Sequence, residues 1–455
     1  MNLFRTKSTA NETTTAVLNR SLNALDLTLL GIGAIIGAGV FVLTGIAAAT
    51  KAGPAISISY IVAGLASMFA ALAYAELSTC IGGCGSAYSY SYVVFGELIA
   101  WIIGWDLILE YTLSVATVAI GWSGYVKDAL LSLGVHLPDQ FIKNPFDGGI
   151  IDLPAFAIII FLALLLCAQV KHGSRFNAII VCIKLITIAI FVAVASDHVK
   201  VSNWHPFFPF GWTGVMQGAS LVFFAYIGFD ALSTAAEETI KPQRNLPIGI
   251  ITSVNICTLI YILVAVLLTG IVSYTTLNVK SPVADALLRI GHPVAAGIVA
   301  IGAIAGLTTV MLVMYYGLTR ICLAITRDGL LPNFFATTNQ RTKTPVKIIL
   351  TSGIIIATVA GVVPIGDAAA LVNIGTLAAF TLVCAAVITL RITQPDLKRP
   401  FKLPFNPVFP SLGVFFCVYL MANLARVTWI SFFIWTTIGL FIYFTYGRKH
   451  SLLNK

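Results

Sequence analysis

The stretch Gly31-Ile32-Gly33-Ala34-Ile35-Ile36-Gly37-Ala38-Gly39-Val40-Phe41 lies within an apolar segment running from about residue 24 to 50. Each glycine inside a helix costs about 1 kcal/mol relative to alanine, so Gly31, Gly33, Gly37 and Gly39 together favour unwinding. At membrane depth, non-helical backbone survives only where it is buried in protein or lines a cavity, because its N–H and C=O groups otherwise go unpaired. A half-helix beginning near Ala38 aims free N–H groups and its positive dipole end at an anion. The carbonyls that end the preceding half attract a cation. A zwitterion fits both. The alternative is a small-xxx-small face at Gly33 and Gly37 on which another helix packs closely.

The rest of the chain sets that stretch in a membrane. Its 455 residues are 58% hydrophobic and 10% charged, whereas soluble domains carry about one quarter charged residues. A large soluble catalytic domain is excluded. Apolar segments fall at about 24–50, 54–77, 97–127, 153–170, 176–196, 211–238, 247–272, 294–325, 346–363, 367–391, 408–426 and 428–446. At about 20 residues per crossing, these predict an all-α integral membrane protein with about twelve transmembrane helices. The first twenty residues are polar and lack the apolar core of a cleavable signal peptide, so residues 1–21 read as a cytoplasmic tail.

A net charge of +9 raises the question of nucleic acid, but the cations sit in short clusters beside apolar segments, as membrane orientation requires. With the N-terminus inside, nineteen Lys and Arg fall on the cytoplasmic side. Seven fall outside (Lys51, Lys127, Lys143, Lys200, Lys280, Arg289 and Arg426), and Lys184 stands apart. Both termini are therefore expected in the cytoplasm, the C-terminal tail being residues 447–455.

Segment six repeats the theme of segment one. Phe224-Ala225-Tyr226-Ile227-Gly228-Phe229-Asp230 sets a glycine at mid-span, followed by a carboxylate and then Glu237-Glu238. Two interrupted segments five apart are the pattern of inverted-repeat transporters, whose discontinuous helices meet at the bilayer midplane.

Lys184 stands well inside segment five, too far from either end to snorkel easily. It is a candidate for gaining and losing a proton during a cycle, or else a fixed ammonium paired with carbonyls or a carboxylate. Its candidate charged partners are Asp106 and Glu110, which share a helix face by their four-residue spacing, and Asp230. Each carboxylate also admits a plain structural reading. Most tryptophans, including Trp101, Trp105, Trp122 and Trp212, flank spans and read as interfacial anchors. The six histidines fall in expected loops and receive no role. The eight cysteines include no paired ligand set, so neither metal nor disulfide is implied. No phosphate loop, metalloprotease motif or nucleophile elbow is present, which argues against ATP use, enzymatic activity and a cofactor.

With these residues in view, the chain resembles the amino acid, polyamine and organocation transporters, especially the bacterial permeases similar to cationic amino acid transporters. The resemblance spans nearly the whole chain. Besides residues 31–41 it rests on Tyr74-Ala75-Glu76-Leu77 with Gly85-Ser86-Ala87-Tyr88, on Phe223 to Asp230, on Glu237-Glu238 through Pro242-Gln243-Arg244-Asn245-Leu246-Pro247, and on Arg327-Asp328-Gly329-Leu330-Leu331-Pro332.

The resemblance implies a leucine-transporter-like fold working by alternating access, with helices 1 and 6 broken. A ten-helix core at 22–391 would hold inverted repeats at about 22–196 and 211–391, and two more helices would lie at 392–446. It further implies that a substrate carboxylate binds the amides of Ala38 and Gly39. The ammonium would bind carbonyls of Ile35, Phe224, Ala225 and Ile227, and Lys184 would replace a sodium ion and couple transport to protons. Ala38 departs from the Ser or Thr common in relatives, which removes a hydroxyl contact. Met314 on segment eight puts an apolar wall in the side-chain pocket, favouring neutral over cationic L-amino acids, although Glu110 argues the other way if it faces the cavity.

The expectation is a proton-coupled amino acid permease of the bacterial cell membrane, whose partners are its substrate, protons and lipid, with no nucleic acid or ATP. An exchanger of amino acids or polyamines is the first alternative. A sensor that binds without transporting is the second, disfavoured by tails too short for a signalling domain.

Overall fold

The computed structural model describes residues 5–6, 22–81, 86–132, 134–168, 174–336 and 344–454. Most of the N-terminal tail, Cys84 and Gly85, and the cations at 7, 20, 171, 341, 343 and 455 lie outside the described residues. Among these residues the structure is helical, with a single isolated bridge between Leu22 and Thr239 and no strand.

The first helix, α1, spans Ala24–Ile35. Asn23 caps it by accepting from the amides of Leu25 and Asp26, and Asp26 returns a carboxylate to the Asn23 amide, a reciprocal capping box. Helical turns resume at Gly39 and continue to Cys80, taking in α2 at Ile56–Cys80. This run is not one straight rod. The hydroxyls of Thr44 and Tyr60, sixteen residues apart, are 2.6 Å from each other, whereas a straight helix would hold them about 24 Å apart. The chain doubles back between them, where Gly53 adopts φ +62°.

The remaining main helices are α3 (Ala87–Val94), α4 (Glu97–Ser132), α5 (Leu153–Cys167), α6 (Ser174–Ser196) and α7 (Gly211–Val222). They are followed by α8 (Pro242–Ile271), α9 (Pro282–Arg289), α10 (Pro293–Arg327), α11 (Val346–Val362), α12 (Ile365–Thr393), α13 (Val408–Ala422) and α14 (Arg426–Ile442). Among the described residues, eight helical runs are long and apolar enough to cross a bilayer. Four more expected segments appear as apolar helices of 12 to 17 residues, α1, α5, α11 and α13. At 1.5 Å per residue these reach roughly 18 to 26 Å, short of a hydrocarbon core about 30 Å thick. Helices α3 and α9 were not expected from hydropathy.

Several motif residues prove to be struts. Glu76 is buried at the end of α2, where Arg391 of α12 donates to it twice, at 2.8 and 2.5 Å, and the Leu403 amide donates at 2.7 Å. A bidentate guanidinium with a third donor satisfies the carboxylate away from water. Asp328, just after α10, accepts from the Tyr88 hydroxyl at 2.6 Å and holds the Leu452 amide through its carbonyl at 3.1 Å.

The interfacial reading of Trp101 and Trp105 is corrected by the structure. Trp101 is fully buried, Trp105 stacks on Trp435 with ring centroids 4.5 Å apart, and their indole N–H groups donate to the carbonyls of Gly439 and Trp435. They bolt α4 to α14. Protein neighbours take the place of headgroups because α14 covers that face of α4.

Candidate functional site

Regular helix stops at Ile35, and Ile36 is extended at φ −72°, ψ 104°. Ala38, at φ −59°, begins the next half, so its amide and that of Gly39 have no preceding turn to bond to. The second interruption follows α7. The chain tightens into a 3-10 turn at Phe223–Tyr226, Ile227 is extended at ψ 137°, and Gly228 takes φ +117° before a further 3-10 stretch at Asp230–Glu238.

The two interruptions touch. A Cβ added to Gly39 would lie 2.3 Å from the Ala225 Cα, so only glycine permits this approach. At Gly228 the positive φ is one that L residues with side chains rarely adopt, and a Cβ there would also lie 2.9 Å from the Ala34 carbonyl. Between them is a cavity lined by Ala34, Ile35, Gly37, Ala38 and Gly39, by Ser114 and Val118 of α4, by Phe224 and Ile227, and by Val310 and Met314 of α10. Its volume is about 10 Å³, enough for about one water. Admitting anything larger than water requires these walls to part.

The structure brings together Ile35, Ala38, Gly39, Phe224, Ile227 and Met314 in this lining, with Ala225 behind Gly39. Lys184 is fully buried, and its ammonium donates to the carbonyls of Gly33 at 2.7 Å and Ile36 at 2.9 Å, two of the groups freed where α1 ends. Room for its stem comes from Gly306 on α10, where a Cβ would meet Lys184 Cε at 2.9 Å.

The expected carboxylate partners of Lys184 lie elsewhere. Among the described residues no carboxylate is within 4.0 Å of its ammonium. Carbonyls released by the helix end serve instead, since they are orphaned at the point the lysine reaches. Asp230 accepts from the Gly228 amide at 3.1 Å and from the Tyr111 hydroxyl at 3.3 Å, pinning the second interruption. Both carboxylate oxygens of Asp106 and Oε2 of Glu110 are buried with no hydrogen-bond partner among the described residues, and Asp106 packs on Gly375 of α12.

An amino acid permease family model matches residues 22–445. The chain belongs to that family. The permease is 48% identical over 440 residues to the methylthioribose transporter of Bacillus subtilis, an alignment covering 96% of this chain and 95% of the relative. It is 48% identical over 445 residues to the branched-chain amino acid permease BcaP of the same organism, with the same coverage, and 36% identical to its Lactococcus lactis counterpart over 95% of both chains. It is thus a multi-pass membrane transporter, not an enzyme.

Besides the lining residues Val118 and Val310, four polar residues of the permease site escaped the sequence reading. The Tyr261 hydroxyl of α8 reaches the carbonyls of Ile35 at 2.8 Å and Ala225 at 2.9 Å, joining the two interruptions through one atom. The Tyr60 hydroxyl donates to the Gly39 carbonyl at 3.1 Å. Asn373 of α12 donates to the carbonyls of Ser220 at 2.7 Å and Leu221 at 2.9 Å, which α7 leaves free as it gives way to the 3-10 turn. Ser114 lines the cavity with a buried hydroxyl that has no hydrogen-bond partner among the described residues. The available signal was a polar residue in the middle of an apolar segment, which also describes many helix-packing residues.

Proposed function

We propose that the permease takes up a neutral, apolar L-amino acid together with protons, by alternating access through the cavity between residues 34–39 and 224–228. The observation that carries this reading is the buried Lys184 ammonium on the carbonyls of Gly33 and Ile36. A monovalent charge there holds the end of α1 beside the substrate cavity, and loss of its proton would remove that charge and leave only weaker, neutral hydrogen bonds to the two carbonyls. Proton transfer and the posture of the first interruption are thereby linked.

In this reading segments one and six are the discontinuous helices of two inverted five-helix repeats, at about 22–196 and 211–391, and residues 392–446 are two added helices. The substrate carboxylate takes the amides of Ala38 and Gly39, aided by the positive end of the half-helix they open. Its ammonium takes carbonyls among Ile35, Phe224, Ala225 and Ile227, with Ser114 as a further polar contact. Val118, Val310, Met314 and Ile227 form an apolar wall, which supports a branched aliphatic side chain, as does the similarity to two branched-chain amino acid permeases. The cation asymmetry supports placing both termini in the cytoplasm.

A second reading comes from the methylthioribose transporter at equal identity: the same apolar wall suits a thioether. Proteoliposomes holding the purified permease decide between them. Labelled leucine, valine and isoleucine, but not methylthioribose, are expected to accumulate when the exterior is acidified. Uptake indifferent to the pH gradient and dependent on internal amino acid would establish exchange instead, and methylthioribose accumulation alone would overturn the amino acid assignment.

A further inference from the structure

His198 and His292 are separated by 94 residues, and the structure brings them face to face. His198 lies just beyond α6, its amide donating to the Ala195 carbonyl at 3.0 Å. His292 immediately precedes α10, its amide donating to the Leu287 carbonyl at 3.0 Å after the positive-φ turn at Gly291. Both backbones are thus fixed by local turns. The opposite end of α10 meets the C-terminal residues through Asp328 and Leu452, so the pair lies at the far end of the bundle from them.

The imidazoles meet edge to face, centroids 4.7 Å apart, with their Nε2 atoms at 3.1 Å. Nδ1 of His198 is 3.0 Å from the Val194 carbonyl. A carbonyl only accepts, so Nδ1 carries a proton, and in that tautomer of the imidazole the lone pair is on Nε2, the atom that faces His292. Fixing one ring nitrogen on a backbone carbonyl so that the other presents its lone pair is how metal-binding histidines are oriented. Two nitrogens bound tetrahedrally at about 2.0–2.1 Å lie roughly 3.3 Å apart, within a few tenths of an ångström of the spacing seen here.

We propose that His198 and His292 form a binding site for a borderline transition-metal cation such as Zn²⁺ or Cu²⁺, which bridges the end of α6 to the start of α10. Imidazole nitrogen suits these ions. Both side chains are half-buried, leaving a path from solvent. Among the described residues no third His, Cys, Asp or Glu joins the pair, so water completes the coordination. The bridged helices are those that carry Lys184 and Gly306, and a metal there cross-links them outside the substrate cavity.

Tag-free, detergent-purified full-length protein titrated with ZnCl₂ by calorimetry tests the site. One strong site per chain is expected, weakened at least about tenfold by His198→Gln or His292→Gln and no further by the two together. Glutamine retains hydrogen bonding, and unchanged melting temperatures verify folding. Independently of any variant, Cu²⁺ bound to the wild-type protein is expected to show electron paramagnetic resonance splitting from two imidazole nitrogens. Absence of that splitting, or undiminished Zn²⁺ binding in the double variant, overturns the site and leaves the contact as a simple hydrogen bond between rings.

Discussion

The two interruptions solve the same problem with different chemistry. At the first, the carbonyls of Gly33 and Ile36 are held by the Lys184 ammonium. At the second, the carbonyls of Ser220 and Leu221 are held by the neutral Asn373 amide, and the Gly228 amide by the Asp230 carboxylate. An amide side chain cannot change its charge, whereas a lysine can. Under the proposed coupling, the first interruption is the one that switches and the Asn373-held end of the second stays fixed, although Tyr261 ties both interruptions to one hydroxyl.

Removing the switch is expected to have the largest effect. In Lys184→Ala, accumulation of labelled leucine under an imposed pH gradient should fall to background, while leucine binding measured by calorimetry weakens much less. Normal pH-driven accumulation in that variant would end the coupling role. Gly228→Ala comes next. Its φ of +117° and the nearby Ala34 carbonyl predict about 1–3 kcal/mol of strain, read as a lower melting temperature in detergent together with slower uptake.

Asn373→Ala sharpens the contrast, since it orphans two buried carbonyls at a cost of about 1–3 kcal/mol. The melting temperature should drop, while the dependence of the remaining uptake on the pH gradient matches wild type. A changed pH dependence would show that the second interruption is also part of the switch. The smallest effect is expected from Ser114→Ala. Losing one hydroxyl contact to substrate is worth about 0.5–1.5 kcal/mol, a severalfold rise in KM with folding and coupling intact.

Hydropathy alone located the apolar segments, because about 20 uncharged residues admit few structures other than a spanning helix. It misjudged the ends. Ala87–Val94, buried on most sides, and the amphipathic Pro282–Arg289 are short helices that average out of a long window, and α5, α11 and α13 are shorter than full crossings. Glycine was legible for a local reason: Gly39 and Gly228 sit where a Cβ would collide with backbone or force an unfavourable φ. Lys184 was legible because an ammonium so deep in an apolar run needs a reason to be there.

The partners were not legible. Tyr60, Tyr261, Asn373 and Ser114 look in sequence like any polar residue in a membrane helix, and their meaning depends on which carbonyl lies across the bundle. His198 and His292, each unremarked in its loop, acquire a common purpose only when α6 and α10 pack. Composition and glycine spacing thus determined that this chain lies in a membrane and where its helices are weakest, since those are properties of the solvent and of the local backbone. Tertiary structure decided which side chains satisfy the freed peptide groups, because a hydrogen bond is set by distances across the fold, and the sequence order does not encode them.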